Sequence, residues 1–228
     1  MKLSLIVPLY NEGENIRDVI LGLKTTLDSN IGEKYEIVAV DNGSTDNTSE
    51  ILRSLSASVP QLQVVYIFPN KGYGGGILAG LSRASGEILG WIDGDSQSEP
   101  ISVVKIYRKL IEERLDFCRG VRILRQDGFF RKIQSAVYNG LFRIIFCTSC
   151  RDINAKPKIF KREFYEKANF SSHDWFIDAE VIIKAKTLGV KTGELKVHTL
   201  QRQHGVSQVR PVAILEFLKN MVYYKLRK

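Results

Sequence analysis

Asp93, Asp95 and Gln97 close a short apolar run, Ile88-Leu-Gly-Trp-Ile92, and stand at alternate positions along the chain. If the segment stays extended, alternate side chains point the same way, so two carboxylates and an amide oxygen converge on one point. Such a set suits a hard divalent cation. Mg2+ or Mn2+ takes one or two carboxylates and fills its remaining positions with phosphate oxygens and water. The competing reading is a capped turn, because Asp-Gly and Asp-Ser are common turn residues and Pro100 can open a helix.

The elements around this stretch bear on the choice. Residues 3–9 read as a central strand ending in Tyr10, Asn11 and Glu12, followed by Ile16, Val19, Ile20, Leu23 and Leu27 at helical spacing. Residues 35–40 form a second buried strand that ends at Asp41-Asn-Gly-Ser-Thr-Asp46, and residues 62–68 a third. Gly72-Tyr-Gly-Gly-Gly76 then leads into a helix through Leu78, Leu81 and Ala84. Those glycines read equally as a flexible approach to a ligand or as a packed turn. Strands alternating with helices predict an α/β fold with a mostly parallel central sheet covered by helices on both faces. Ligands of such sheets bind at the carboxyl ends of the strands, near a switch in strand order. Three polar clusters, at Tyr10 to Glu12, Asp41 and Asn42, and Asp93 to Gln97, fall there. Together they read as an active-site edge for a ligand with the mixed groups of a nucleotide.

Two nucleotide-binding motifs are excluded. There is no Gly-x4-Gly-Lys-Ser/Thr loop, and the first strand is followed by Tyr10-Asn-Glu-Gly-Glu14 rather than Gly-x-Gly-x-x-Gly. The length of 228 residues suits one globular domain, and a net charge of +8 favours a polyanionic partner. No nucleic-acid-binding signature accompanies that charge. No apolar run reaches the ~18 residues that span a bilayer. Cys118, Cys147 and Cys150 are too few for a disulfide framework, which points to a reducing cytoplasm. His173, His198 and His204 lack metal-ligand spacing.

Four motifs in order resemble glycosyltransferase family 2: Val7-Pro-Leu-Tyr-Asn-Glu12, Val40-Asp-Asn-Gly-Ser-Thr-Asp46, Asn70-Lys-Gly-Tyr-Gly and Asp93-Gly-Asp-Ser-Gln97. Within it the chain looks closest to the dolichol-phosphate mannosyltransferase and polyprenyl-phosphate glycosyltransferase branch, whose Arg-x-x-Gly-x-Ser signature is similar to Arg202-Gln-His-Gly-Val-Ser207. The resemblance implies a glycosyltransferase-A catalytic domain over residues 1–210; the residue pattern beyond it predicts a C-terminal amphipathic helix over residues 211–228, without a transmembrane segment. It places Pro8, Tyr10 and Glu12 beside the nucleoside and Asp41 on the base or ribose, with Asn42 and Lys71 also on the donor side. Asp93 falls near ribose and metal, and Asp95 and Gln97 hold the cation against the diphosphate. The chain departs from the family at Asn42, where a second aspartate is usual, and at Gly94, where alanine is common.

In the second half, residues 100–113 read as a helix, residues 115–122 as a strand and residues 125–146 as a basic, aromatic-rich amphipathic helix. That last pattern suits either an anionic membrane surface or an ordinary core. By resemblance, Arg122, Arg131 and Ser135 receive acceptor or donor phosphates, a task that suits the planar fork of arginine. Asp152-Ile-Asn154 with Lys156-Pro-Lys158 looks like the branch's Asp-rich segment. Trp175-Phe-Ile-Asp-Ala-Glu180 resembles its Phe-x-x-Asp-x-Glu element, with Asp178 facing the sugar. Residues 191–199 read as a late strand, Arg202 as a charge that neutralises the leaving group, and residues 212–226 as a final amphipathic helix.

The function implied is transfer of a sugar, with inversion, from a GDP- or UDP-linked donor to a polyprenyl or dolichyl phosphate, using Mg2+ or Mn2+ at the cytoplasmic face of a membrane. Two rivals stand beside it. One is a family 2 transferase with a saccharide acceptor, for which Asp152 or Asp178 would be the base. The other is a non-catalytic, membrane-recruited nucleotide-sugar-binding subunit.

Overall fold

The structure is a computed structural model that describes residues 2–123, 129–200 and 213–226; the side chains of residues 129–134 and 213–218 lie outside that description. Among the described residues seven strands form one sheet: β1 (Leu3–Leu9), β2 (Tyr35–Asn42), β3 (Leu62–Ile67), β4 (Ile88–Trp91), β5 (Phe117–Ile123), β6 (Lys158–Lys161) and β7 (Thr192–His198). Their spatial order is β3-β2-β1-β4-β6-β5-β7. The pairs β1–β2, β1–β4, β2–β3 and β5–β7 are parallel, while β6 runs antiparallel to both β4 and β5. From β1 the chain builds outward to β2 and β3, then returns to place β4 on the other side of β1. That reversal is the switch point at which open α/β sheets leave a crevice.

The helices are α1 (Ile16–Asn30), α2 (Thr48–Ser58), α3 (Gly72–Arg83), α4 (Pro100–Glu112), α5 (Phe129–Phe146), α6 (Arg162–Ala168), α7 (Ile177–Thr187) and α8 (Ala213–Leu226). They cover both faces of the sheet. Leu3, Leu5, Val7 and Leu9 of β1 pack with Ile16, Ile20 and Leu23 of α1, Leu52 of α2 and Val103 of α4. Ile6, Val38, Trp91 and Phe160 face the opposite way, with Ile77 of α3, Phe142 of α5, Val181 of α7 and Met221 of α8. Burial on both faces explains why the inner strands are near-continuous apolar runs instead of alternating ones.

β6 is absent from the sequence expectations, although it lies in the interior of the sheet. It has four residues, and two of them are lysines, so its composition reads as a surface loop. No described helix is long and apolar enough to cross a membrane.

Candidate active site

Because β2, β1 and β4 are neighbours and parallel, their polar ends leave the sheet at the same edge. The loops after β1 and β2 are stitched together. Asn11 N donates to Ser44 Oγ at 3.0 Å, Thr45 N to Asn11 Oδ1 at 2.7 Å, and Glu12 N to Thr48 Oγ1 at 3.0 Å. Glu12 is buried and accepts from Asn15 Nδ2 at 2.7 Å, while Pro8 and Tyr10 are half-buried.

Asp41 is also buried. Its carboxylate accepts from Ser44 N at 3.0 Å and from the Ser49 hydroxyl, so both oxygens already hold the loop that the base or ribose would meet. Asn42 has a different task. Lys71 N donates to its Oδ1 at 3.0 Å, while its Nδ2 donates to Gly72 O at 2.8 Å and Asn70 Oδ1 at 3.3 Å. Two of these partners are acceptors, so an amide satisfies the loop where a carboxylate would meet oxygen with oxygen. The departure from the family pattern at this position therefore has a local structural reason. The Lys71 side chain is exposed at the start of α3.

The Gly72 to Gly76 stretch is the first turn of α3 and not a flexible loop. A Cβ on Gly74 would lie 2.2 Å from Ser172 O, and one on Gly72, whose φ is +79°, 2.5 Å from His173 O. The glycines thus let residues 172–174 lie against the helix start, which settles the two readings in favour of packing. Glu180 holds that loop by accepting from Ser171 N at 3.0 Å and Ser172 N at 2.8 Å, and also accepts from the Tyr224 hydroxyl of α8.

The chain after β4 is bent, not extended. Ser96 takes a positive φ of 59°, and Gln97 N donates to Asp95 Oδ1 at 3.1 Å. Simple alternation therefore does not align Asp93, Asp95 and Gln97. The Gln97 amide instead turns toward Leu200 O at 3.5 Å, and Leu200 N donates to Gln97 O at 2.9 Å. Tyr73 donates its hydroxyl to Asp93 Oδ1 at 2.6 Å, and Lys156 Nζ lies 3.4 Å from Asp93 Oδ2. Among the described residues no group of three or more His, Cys, Asp or Glu side chains is placed to hold a metal ion by itself. The half-buried Asp93 and Asp95 are hard oxygen donors in one turn, and two carboxylates fit Mg2+ or Mn2+ completed by diphosphate and water.

Beneath the rim lies a charge cluster that the sequence did not foretell. Asp178 in the first turn of α7 is 1% exposed, which corrects the expectation that it faces the sugar. Its Oδ2 lies 2.7 Å from Lys156 Nζ; its Oδ1 lies 2.5 Å from Lys158 Nζ and accepts from Trp91 Nε1 at 3.3 Å. Lys158, fully buried on β6, also donates to Ile153 O and Ala155 O at 2.8 and 2.9 Å. Burial works to raise the Asp178 pKa, but the two ammonium groups outweigh it and hold the carboxyl below its usual range. Burial likewise opposes protonation of Lys156, yet Asp178 and Asp93 leave its pKa raised. A stacked pair, Tyr73 and Trp175 with ring centroids 4.2 Å apart, borders the cluster.

On the acceptor side, Arg122 is bound bidentately by Asp152, with Nε to Oδ2 at 2.8 Å and Nη2 to Oδ1 at 2.7 Å. The carboxylate thus takes two of the guanidinium nitrogens and fixes the plane of the group. The half-buried Ser135 accepts from Asn139 Nδ2 at 3.2 Å. The side chain of Arg131 and the whole of Arg202 lie outside the described residues.

A mostly parallel sheet with acidic strand ends gathered at its switch point is the layout of the glycosyltransferase-A fold. The chain belongs to glycosyl transferase family 2, whose model matches residues 4–184. It is 27% identical over 223 residues, 97% of its length, to undecaprenyl-phosphate 4-deoxy-4-formamido-L-arabinose transferase of Yersinia enterocolitica. The chain spans 66% of that relative, just under two thirds. Glucosyl-3-phosphoglycerate synthase from Mycobacterium tuberculosis, solved with Mn2+, UDP and phosphoglyceric acid, superposes over 99% of this chain and 77% of its own, with a TM-score of 0.72 at 18% identity. A mannosyltransferase from Pyrobaculum calidifontis, solved with GDP-Man and Mn2+, covers 100% of this chain and 64% of its own, with a TM-score of 0.70 at 18% identity.

Proposed function

We propose that the chain is an inverting, metal-dependent glycosyltransferase that moves a sugar from a GDP- or UDP-linked donor to a polyprenyl or dolichyl phosphate. The observation that carries this reading is the shared edge of β2, β1 and β4, which gathers Asp41, Glu12, Asp93 and Asp95 at the switch point of a family 2 sheet. Asp95, with Asp93, would hold Mg2+ or Mn2+, which supplies a Lewis acid for the departing diphosphate. Lys71 and Arg202 would add positive charge where that diphosphate leaves. Attack from the opposite face in a single displacement inverts the anomeric centre.

The state of two carboxylates supports the choice of acceptor. A hydroxyl acceptor must give up a proton to a positioned base. Asp178 is buried between two lysines and Asp152 is paired with Arg122, so neither is poised for that task. A lipid phosphate is already anionic and needs no base, which favours it over a saccharide hydroxyl. Arg131, Ser135 and Arg122 are the groups proposed to receive it. Peripheral contact with the cytoplasmic face of a membrane would run through α5 and α8, where Val137, Ile144, Val222 and Leu226 are exposed beside Arg143, Lys219 and Lys225.

Incubation with radiolabelled GDP- and UDP-sugars, Mn2+ and polyprenyl phosphate in detergent tests this directly. The expected outcome is label in the organic phase, abolished by a chelator. Label that reaches only soluble glycans, or no transfer from either donor, would refute the reading.

A further inference from the structure

Asp93 is gripped from two sides by groups that no strand-end motif announces. Tyr73 comes from the first turn of α3 and donates to Oδ1 at 2.6 Å. Lys156 comes from the segment before β6 and sets its ammonium 3.4 Å from Oδ2. Neither group can swing away. The Tyr73 ring is stacked on Trp175, with the Lys156 ammonium 5.0 Å from its centroid. Lys156 is buried and tethered to Asp178 at 2.7 Å, the shorter of its two ion pairs. Asp178 retains a second cation, Lys158 at 2.5 Å, so its charge is balanced without Lys156. The buried structure therefore does not need the Lys156 charge for neutrality; Asp93 is the carboxylate left for it to balance.

We infer that Tyr73 and Lys156 are positioning residues that lock the Asp93 carboxylate in one orientation toward the metal–nucleotide. This rests on the donor-site reading above and goes beyond it by assigning the layer behind the rim. Two effects of Lys156 oppose each other. Its positive charge weakens attraction of a cation to Asp93, while its fixed place holds the carboxylate ready. Orientation dominates here, because both Asp93 oxygens are held and the ammonium is anchored on a second carboxylate. Partners that orient a metal-binding carboxylate typically matter by about 10- to 100-fold in affinity.

The test is Mn2+ binding followed by electron paramagnetic resonance, alone and with GDP or UDP, alongside thermal unfolding. Tyr73→Phe removes only a hydroxyl and keeps the stacked ring, so it tests the idea without risk to folding. Tyr73→Phe and Lys156→Met are each expected to weaken Mn2+–nucleotide binding about 10-fold or more. Lys156→Arg, which keeps a cation between the two carboxylates, loses less than Lys156→Met. The double variant loses less than the product of the single effects, since both act on one carboxylate. Wild-type binding with unchanged or tighter binding in Tyr73→Phe and Lys156→Met overturns this inference alone. No binding of either nucleotide by the wild type overturns the donor-site reading itself, and this inference with it.

Discussion

The two flanks of the sheet treat charge in opposite ways. On the flank of β3, β2, β1 and β4, Asp93 and Asp95 sit past a strand end, half-buried at the rim. On the flank of β6, β5 and β7, Lys158 and Asp178 lie inside the molecule at 0% and 1% exposure, bonded to each other. A rim carboxylate stays within reach of a ligand. An interior carboxylate is closed to substrate, and the fold depends on it because removing one partner strands the other charge. One residue, Lys156, touches both.

The largest expected effect sharpens that contrast. Asp178→Asn leaves two buried lysines facing an amide and is expected to cost about 3–5 kcal/mol in urea unfolding. Asp95→Ala removes a half-buried rim carboxylate that accepts from Gln97 N and is expected to cost less than Asp178→Asn, about 1–2 kcal/mol, while lowering sugar transfer about 100-fold or more. Equal losses of stability in the two variants would erase the distinction. The acid limb carries the same information. The pKa of Asp178 is lowered on folding, so its contribution is complete above the ordinary carboxylate range and is lost as pH falls through the folded value. Wild type should therefore lose stability more steeply than Asp178→Asn below about pH 4.

Smaller effects probe how the glycine turn and its loop join the flanks. Gly74→Ala forces a methyl toward Ser172 O and is expected to cost about 1–3 kcal/mol, with weaker nucleotide binding. Asn42→Asp sets a carboxylate against Gly72 O and Asn70 Oδ1 and is expected to cost about 1–3 kcal/mol in thermal or urea unfolding. Unchanged stability there would mean that the amide is not what holds the loop. The smallest effect concerns thiols. Cys147 is exposed, whereas burial raises the pKa of Cys118 to about 11 and also raises that of Cys150. Alkylation of the native protein at neutral pH should modify Cys147 alone, as read by peptide mass, with the other two reacting after unfolding.

Much of the first flank was legible because its signals are local. Each strand is a continuous apolar run, and each polar cluster follows its strand within a few residues. The bend at Ser96 was not legible, since a serine at positive φ carries no compositional mark. The second flank and its joins to the first hide their logic in pairings across the chain: Lys158 with Asp178, Trp91 with Asp178, and Tyr73 with Asp93 and Trp175. Two lysines in a four-residue strand look like surface until the carboxylate that neutralises them is known. For the same reason Asp178 read as a residue facing the sugar, and nothing local announced that Asp152 holds two nitrogens of Arg122.

The central claim is that the rim binds a nucleotide diphosphate through a metal held by Asp95. Titration calorimetry of GDP and UDP, each with and without Mn2+, on wild type and Asp95→Ala tests it most directly. The account predicts Mn2+-dependent binding of one nucleotide, lost in Asp95→Ala while the variant remains folded. Binding that is indifferent to both the metal and the substitution, or no binding of either nucleotide to folded wild type, would contradict it.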